Sequence, residues 1–201
     1  MKRKVLGYLL FVFTVLLVGC QGQESKQDTP KEVAENFVQT LYEVEYEVWG
    51  PKFEEYSISS QEFFEAIKGL SPEEDKSEVE ALYEEQVQRV KELYSDLGKY
   101  MSPTAFEDSI TKNRFSEPRQ ACFDYQANSK VISIEYDETV SDEASAGYYI
   151  TVDYEISLIN EEVKQEVTQT LNVLLKKQED NSWKIKELIM GEMSPIVIDG
   201  K

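Results

Sequence analysis

The apolar residues of this chain change their spacing at Pro118, and that change limits the fold more than any other feature of the 201 residues. Before it they recur at helical intervals; after it they alternate with a period of two. Thr29, Pro30 and Glu32 form a capping box with Pro at the first helical position. Val33, Phe37 and Leu41, with Ala34, Val38 and Tyr42, then make one apolar stripe. From Glu43 to Trp49 the pattern alternates, which reads as strand or extended loop ended by Gly50 and Pro51. Ser59 to Glu62 is a second capping box, opening a short helix with Phe63, Phe64 and Ile67 that Gly69 stops. Ser71 to Glu74 is a third. It opens the longest helix, with Val79, Leu82, Tyr83, Val87, Val90, Leu93, Tyr94 and Leu97 turned inward. Ser102 and Pro103 start a fourth, which carries Phe106 and Ile110 and ends near Phe115.

Beyond Pro118, Ile132, Ile134 and Tyr136 alternate with Ser133 and Glu135, and Ile150 to Leu158 repeats the pattern over a longer run. Val163, Val167, Leu171, Val173 and Leu175 mark a third strand, and Trp183, Ile185 and Ile189 a fourth. Asn160-Glu161 and Glu179-Asp180-Asn181 supply hairpin turns. One wet and one dry face per strand requires an antiparallel sheet covered on one side, and the preceding helices are the cover. The expected class is α+β: N-terminal helices packed on a curved four-stranded antiparallel sheet.

The first nineteen residues belong to a different problem. Lys2, Arg3 and Lys4 precede an uncharged, almost wholly apolar run from Val5 to Gly19, followed by Cys20. A basic start, a short apolar core and a small residue at the cut make an export sequence. The run falls below the ~17–25 residues a membrane-spanning helix needs. With Cys immediately after the Gly19/Cys20 cut, it resembles a lipoprotein signal peptide with its lipobox. That resemblance implies acyl chains, palmitate among them, on Cys20, and a cell-membrane location on the extracytoplasmic face. Two chains anchor stably where one does not. Loss of Lys2, Arg3 and Lys4 takes the net charge from -18 to -21. Such a chain cannot release counterions from a phosphate backbone, which excludes nucleic acid as a partner, and no polybasic patch remains to hold it on anionic lipid. Residues 20–29 read as a flexible tether, reaching at most ~33–36 Å when taut. The organisation is therefore signal peptide 1–19, tether 20–29, domain 30–192 and an apolar C-terminal tail 193–201 that docks on the sheet edge or adds to a partner's sheet.

Taken together, the helix-forming KEVAENFVQTLYE, then YMSPTAFEDSITKNRF, the strand ITVDYEISLI and the terminal NSWKIKELI resemble the NTF2-like lipoproteins of Gram-positive bacteria over about residues 30–191. The helical insert around 57–98 is longer than a minimal member carries, and a cystatin-like helix-on-sheet arrangement is the nearby alternative. The resemblance implies a cone whose mouth can hold a small molecule, and in some members acidic and Tyr side chains do isomerase or dehydratase chemistry. By pattern, Tyr42, Tyr154 and Trp183 face such a cone, while Asp153 points to the other face. The ordinary reading of these aromatics is core.

Catalytic equipment is sparse. The chain has no histidine, which excludes Ser-His-Asp and Cys-His catalysis and HExxH zinc sites. No catalytic residue, metal ligand or cofactor is assigned. The clusters Glu73-Glu74-Asp75, Glu84-Glu85 and Asp137-Glu138 with Asp142-Glu143 lack the ligand spacing of a calcium loop and read as a solvated surface. With Cys20 acylated, Cys122 is left without a disulfide partner and reads as a small buried hydrophobe. The function expected is a non-catalytic, membrane-anchored domain that binds a protein or another envelope component. The alternative is a binder of a small apolar ligand, or a carboxylate/Tyr acid–base enzyme, using the cone cavity.

Overall fold

The computed structural model describes residues 27–70, 76–160 and 162–196. Gly19, Cys20, the third capping box, the Glu73-Glu74-Asp75 cluster and the end of the tail lie outside the described residues. Among the described residues six helices precede the sheet, α1 (Pro30–Tyr42), α2 (Tyr46–Lys68), α3 (Lys76–Leu93), the single turn α4 (Ser95–Gly98), α5 (Pro103–Thr111) and α6 (Ser116–Tyr125). Four strands follow, β1 (Ala127–Ser141), β2 (Ser145–Leu158), β3 (Lys164–Lys177) and β4 (Trp183–Met193), as an antiparallel meander in the order β1-β2-β3-β4. The class is α+β, with helices on one face of the sheet, consistent with the NTF2-like arrangement the sequence resembles.

Helix α1 forms as its residues dictate. Thr29 Oγ1 accepts from Glu32 N–H, the Glu32 carboxylate accepts from Thr29 N–H, and the stripe from Val33 to Tyr42 is buried. That stripe meets the dry face of the sheet, where Ile150, Val152, Tyr154 and Ile156 of β2 pack beside Val167, Leu171, Val173 and Leu175 of β3. Asn181, at a left-handed φ of 64°, makes the β3–β4 turn, with Asp180 Oδ1 accepting from Ser182 N–H.

The segment after α1 departs from the expectation. Only Val44 extends as a strand would, exchanging two backbone hydrogen bonds with Ser129 of β1; from Tyr46 the chain is helical through Gly50 and Pro51 to Lys68. An interior proline removes one helical hydrogen bond. The burial of Trp49 and Phe53 on either side of it, rings 6.1 Å apart, outweighs that loss. The first turn is held from a distance, because Tyr46 N–H donates to Asn128 Oδ1 at 2.8 Å. Ser59 caps nothing and donates to the Tyr56 carbonyl within the same helix.

Helix α3 also departs. None of its residues is buried, and Tyr83 and Val87 stand 51% and 43% exposed. It packs chiefly on α2 as a helical hairpin, where Tyr83 lies edge-on to Phe63 at 5.0 Å. The inward residues of the expected stripe are Tyr94 and Leu97, beyond its end, where the chain turns back under α1. The expected fourth helix is α5, which ends at Thr111; α6 is an additional helix across Pro118, so the change from helical spacing to a period of two comes after Tyr125 and not at Pro118. Pro118 sits in the first turn of α6, where no helical donor is needed.

Both edge strands are bulged, and each bulge reverses an expected face. β1 pairs Val131 with Tyr154 and then Ser133 with Asp153, so Ile132 is an extra residue and turns outward, 53% exposed. β4 pairs Glu187 with Leu174 but Ile185 with Leu175; Lys186 is the extra residue, Leu188 goes inward, and Ile189 is left outside. A further irregularity brings Gly191 against β3, where a Cβ would collide with Thr170 Oγ1 and lie 3.0 Å from the Thr170 carbonyl oxygen. Gly191→Ala is therefore expected to destabilise by about 1–3 kcal/mol, read by urea unfolding. A Gly147→Ala control makes its closest approach, 2.8 Å, to the side-chain atom Thr139 Oγ1 and should cost less.

Candidate functional site

The interior between α1 and the sheet is where the cone would open, and rings occupy it. Tyr42 and Tyr154 are fully buried, with centroids 4.9 Å apart. Tyr42 Oη donates to Gln169 Oε1 at 2.9 Å, and Gln169 Nε2 reaches Glu117 Oε2 at 3.4 Å. Tyr154 Oη makes a long contact of 3.6 Å with Met193 Sδ. Burial, reinforced by the neighbouring Tyr154 and Glu117 charges, pushes the Tyr42 hydroxyl well above its ordinary pKa, and burial does the same to Tyr154. Neither phenol is primed to give up its proton near neutral pH.

Trp183 is not with them. It pairs with Lys177 in β3, whereas Tyr154 pairs with Val167, ten positions back along that strand. At ~3.3 Å per residue this sets Trp183 far down the sheet from the two tyrosines, half-buried at the start of β4. Asp153 does face outward. Its carboxylate accepts from Thr168 Oγ1 at 2.6 Å and Ser133 Oγ at 2.7 Å, and these bonds hold it below the usual carboxylate range. Among the described residues no Asp or Glu is buried, and no group of three His, Cys, Asp or Glu is placed to hold a metal. Cys122 is buried and its thiol pushed up to about 11 by that burial, against the opposing effects of Ser129 and Arg119.

A polar cluster of a different kind centres on Arg119. Only 2% of this residue is exposed. Its guanidinium grips Asp96 with two bonds of 2.6 and 3.1 Å and donates to the Thr40 carbonyl at 2.7 Å. It also lies 4.5 Å from the Trp49 ring centroid and 5.7 Å from that of Tyr94. Three helices and the α4 turn thus meet on one cation: α1 through Thr40, α2 through Trp49, α6 through Arg119 itself and α4 through Asp96. The pairing is incomplete, since Arg119 Nε–H and Trp49 Nε1–H are buried without an acceptor.

Arg119 and Trp49 line a cavity of about 690 Å³ at the end of the sheet where β1 begins and β2 ends, with Lys130 and Ser157 on the strand side and Lys52, Glu92 and Leu93 on the helix side. A second cavity of about 510 Å³ shares those last three residues and continues along the seam of α2 and α3. A third, about 200 Å³, shares Ser59, Glu85 and Arg89 with the second and ends at Phe63 and Leu82. The three make one trough. Sequence reading did not place Arg119 in a site. One faint sign was available: it is one of four arginines in an acid-rich chain, two residues from the apolar Ala121-Cys122-Phe123.

No protein-family model matches the chain, and no curated protein matches it. Among solved structures, an IcmL-like type IV secretion system protein from Legionella pneumophila overlays with a TM-score of 0.41 and 12% identity, over 57% of this chain and 82% of that one. An NTF2-like protein involved in plasmid conjugation overlays with a TM-score of 0.30 and 13% identity; 59% of this chain is covered, against only 43% of that one. At TM-scores below 0.5 neither overlay carries an argument about this chain, whose fold is read from its own strand order and helix packing.

Proposed function

We propose that this chain is a lipoprotein, anchored through acyl chains on Cys20 to the extracytoplasmic face of the cell membrane, whose NTF2-like domain binds a protein or another envelope component without catalysis. The observation that carries the binding role is the filled interior. Tyr42 and Tyr154 occupy the space a cone would offer a small molecule, and their hydroxyls are committed to Gln169 and Met193. An acid–base enzyme needs a carboxylate beside its ligand; among the described residues the hydrogen-bond chain from Tyr42 reaches one, Glu117, and only by way of Gln169, whose Nε2 lies 3.4 Å from it. Anchoring is supported by the residues around Cys20 and by the acid-rich composition, which gives the surface no charge attraction to anionic lipid. Among the described residues no helix is long and apolar enough to cross a membrane.

The test is crosslinking in intact cells of the full chain and its Cys20→Ser variant, followed by membrane fractionation. The parent protein is expected in the membrane fraction with a reproducible crosslinked adduct. The variant is expected as unprocessed precursor or released from the membrane, with the adduct lost. A variant that is processed and sediments like the parent would defeat the anchoring. A membrane-bound parent without any adduct would defeat the binding role.

A further inference from the structure

We infer that the trough from the β1–β2 end of the sheet along the α2–α3 seam receives a cationic, lysine- or arginine-bearing segment of a partner protein, an inference that rests on the partner-binding reading above and gives it a surface. Three observations converge. The trough is long: three cavities joined by shared walls suit an extended chain segment or one face of a helix better than a compact metabolite. Its walls are acidic, with eight carboxylates against four cations. Arg89 and Arg119 already face Glu85 and Asp96, and Lys164, from outside the lining, faces Glu155. Glu43, Glu45, Glu55, Glu62 and Glu92 therefore remain against Lys52 and Lys130. The third observation is on the lining, where Trp49 is 7% and Arg119 2% exposed, and each has an N–H without an acceptor. Buried donors rarely stay unpaired; both are shut off from solvent in the free chain, and a small rotation of either side chain on docking would give them what they lack, the carbonyl oxygens of a polypeptide segment.

The apolar surroundings fit the same guest. Val48, 57% exposed, and Leu93 line the trough and offer contact to the aliphatic stems of lysine or arginine, whose charged heads reach the carboxylates on the rim. A second copy of the chain is a poor occupant, because the mature chain's charge of -21, three below the -18 of the precursor, would meet itself across the seam.

The experiment uses the full chain extracted from membranes in non-ionic detergent. A short fluorescent peptide alternating Lys and Ala is titrated and read by anisotropy at about 0.15 M salt, with a Glu–Ala peptide as control. The Lys–Ala peptide is expected to bind and the Glu–Ala peptide not. Glu55→Lys with Glu92→Lys should weaken binding about tenfold or more, and Trp49→Phe, which keeps a ring but removes the indole N–H, about two- to tenfold. Glu135→Lys with Glu187→Lys, on the outer face of the sheet, should leave affinity unchanged. Near-ultraviolet circular dichroism checks that each variant is folded. Absence of binding, or equal weakening by both pairs of reversals, overturns the inference. So does sedimentation showing self-association that Glu55→Lys with Glu92→Lys abolishes. If the cellular adduct depends on Cys20 yet is indifferent to the trough variants, partner binding stands and the trough is wrong; if there is no adduct, the binding role itself has failed.

Discussion

Tyr154→Ala is expected to lower the unfolding free energy by about 3–5 kcal/mol, the range for truncating a large, fully buried ring. The ring stands 4.9 Å from Tyr42 and is fully enclosed, so its loss removes apolar contact and leaves a hole that α1 and the sheet cannot both close. Tyr154→Phe should cost far less, since the hydroxyl has only the long contact to Met193 Sδ and sulfur is a weak acceptor. Urea denaturation followed by far-ultraviolet circular dichroism reads both. Similar losses from the two substitutions would mean the hydroxyl, and not the ring, matters, and the filled-interior description would have to be withdrawn. The alanine variant carries a second readout. A site that holds no ligand in the parent should gain affinity for small aromatic molecules once the ring is gone.

The second large effect concerns the cation at the helix junction. Asp96→Ala is expected to destabilise by about 2–4 kcal/mol, below the 3–5 of a fully buried pair because Asp96 is partly in water. What makes it costly is the residue left behind: Arg119 keeps its charge, with 3% of its side chain exposed, and loses the only carboxylate that pairs with it among the described residues. Arg119→Met should cost less, about 1–3 kcal/mol, because Asp96, 45% exposed, can return to solvent and only the Thr40 carbonyl is left unpaired. The double substitution should be no worse than Asp96→Ala alone, since it removes both charges together. Thermal melts of the three variants decide it; a larger loss for Arg119→Met than for Asp96→Ala would show that guanidinium packing against Trp49 and Tyr94 outweighs charge pairing.

What could be read from residue order was what short-range chemistry decides. The capping box at Thr29, the stripe of α1, the β3–β4 turn at Asn181 and the alternation of β2 and β3 depend on neighbours within a few positions, and each stands where the pattern put it. The departures all have long-range causes. Helix α2 starts at Tyr46 because Asn128, 82 positions away, accepts from its first turn, and it survives Pro51 because Trp49 and Phe53 are buried by residues beyond it. Bulges at Ile132 and Lys186 reverse the outer strands; nothing in a period of two announces an inserted residue. The amphipathic spacing of α3 indicated that it would pack, yet its neighbour is α2 and not the sheet. The site suffered most. Tyr42 and Tyr154 lie together while Trp183 lies far along the sheet, and the Arg119 cluster assembles from four separate elements with no shared motif.

The hydrogen bond from Gln27 Nε2 to the Asp180 carbonyl fixes the direction from which the chain enters. It ties the start of the domain to the β3–β4 turn, at one pole of the elongated sheet. The cavity at Arg119 opens at the other pole, where β1 begins and β2 ends. If Cys20 carries the lipid anchor proposed above, the eight residues from Cys20 to Gln27 reach at most ~26–29 Å when taut and would hold the first pole toward the bilayer. The groove would then face outward, able to receive a visitor without lipid headgroups in its way.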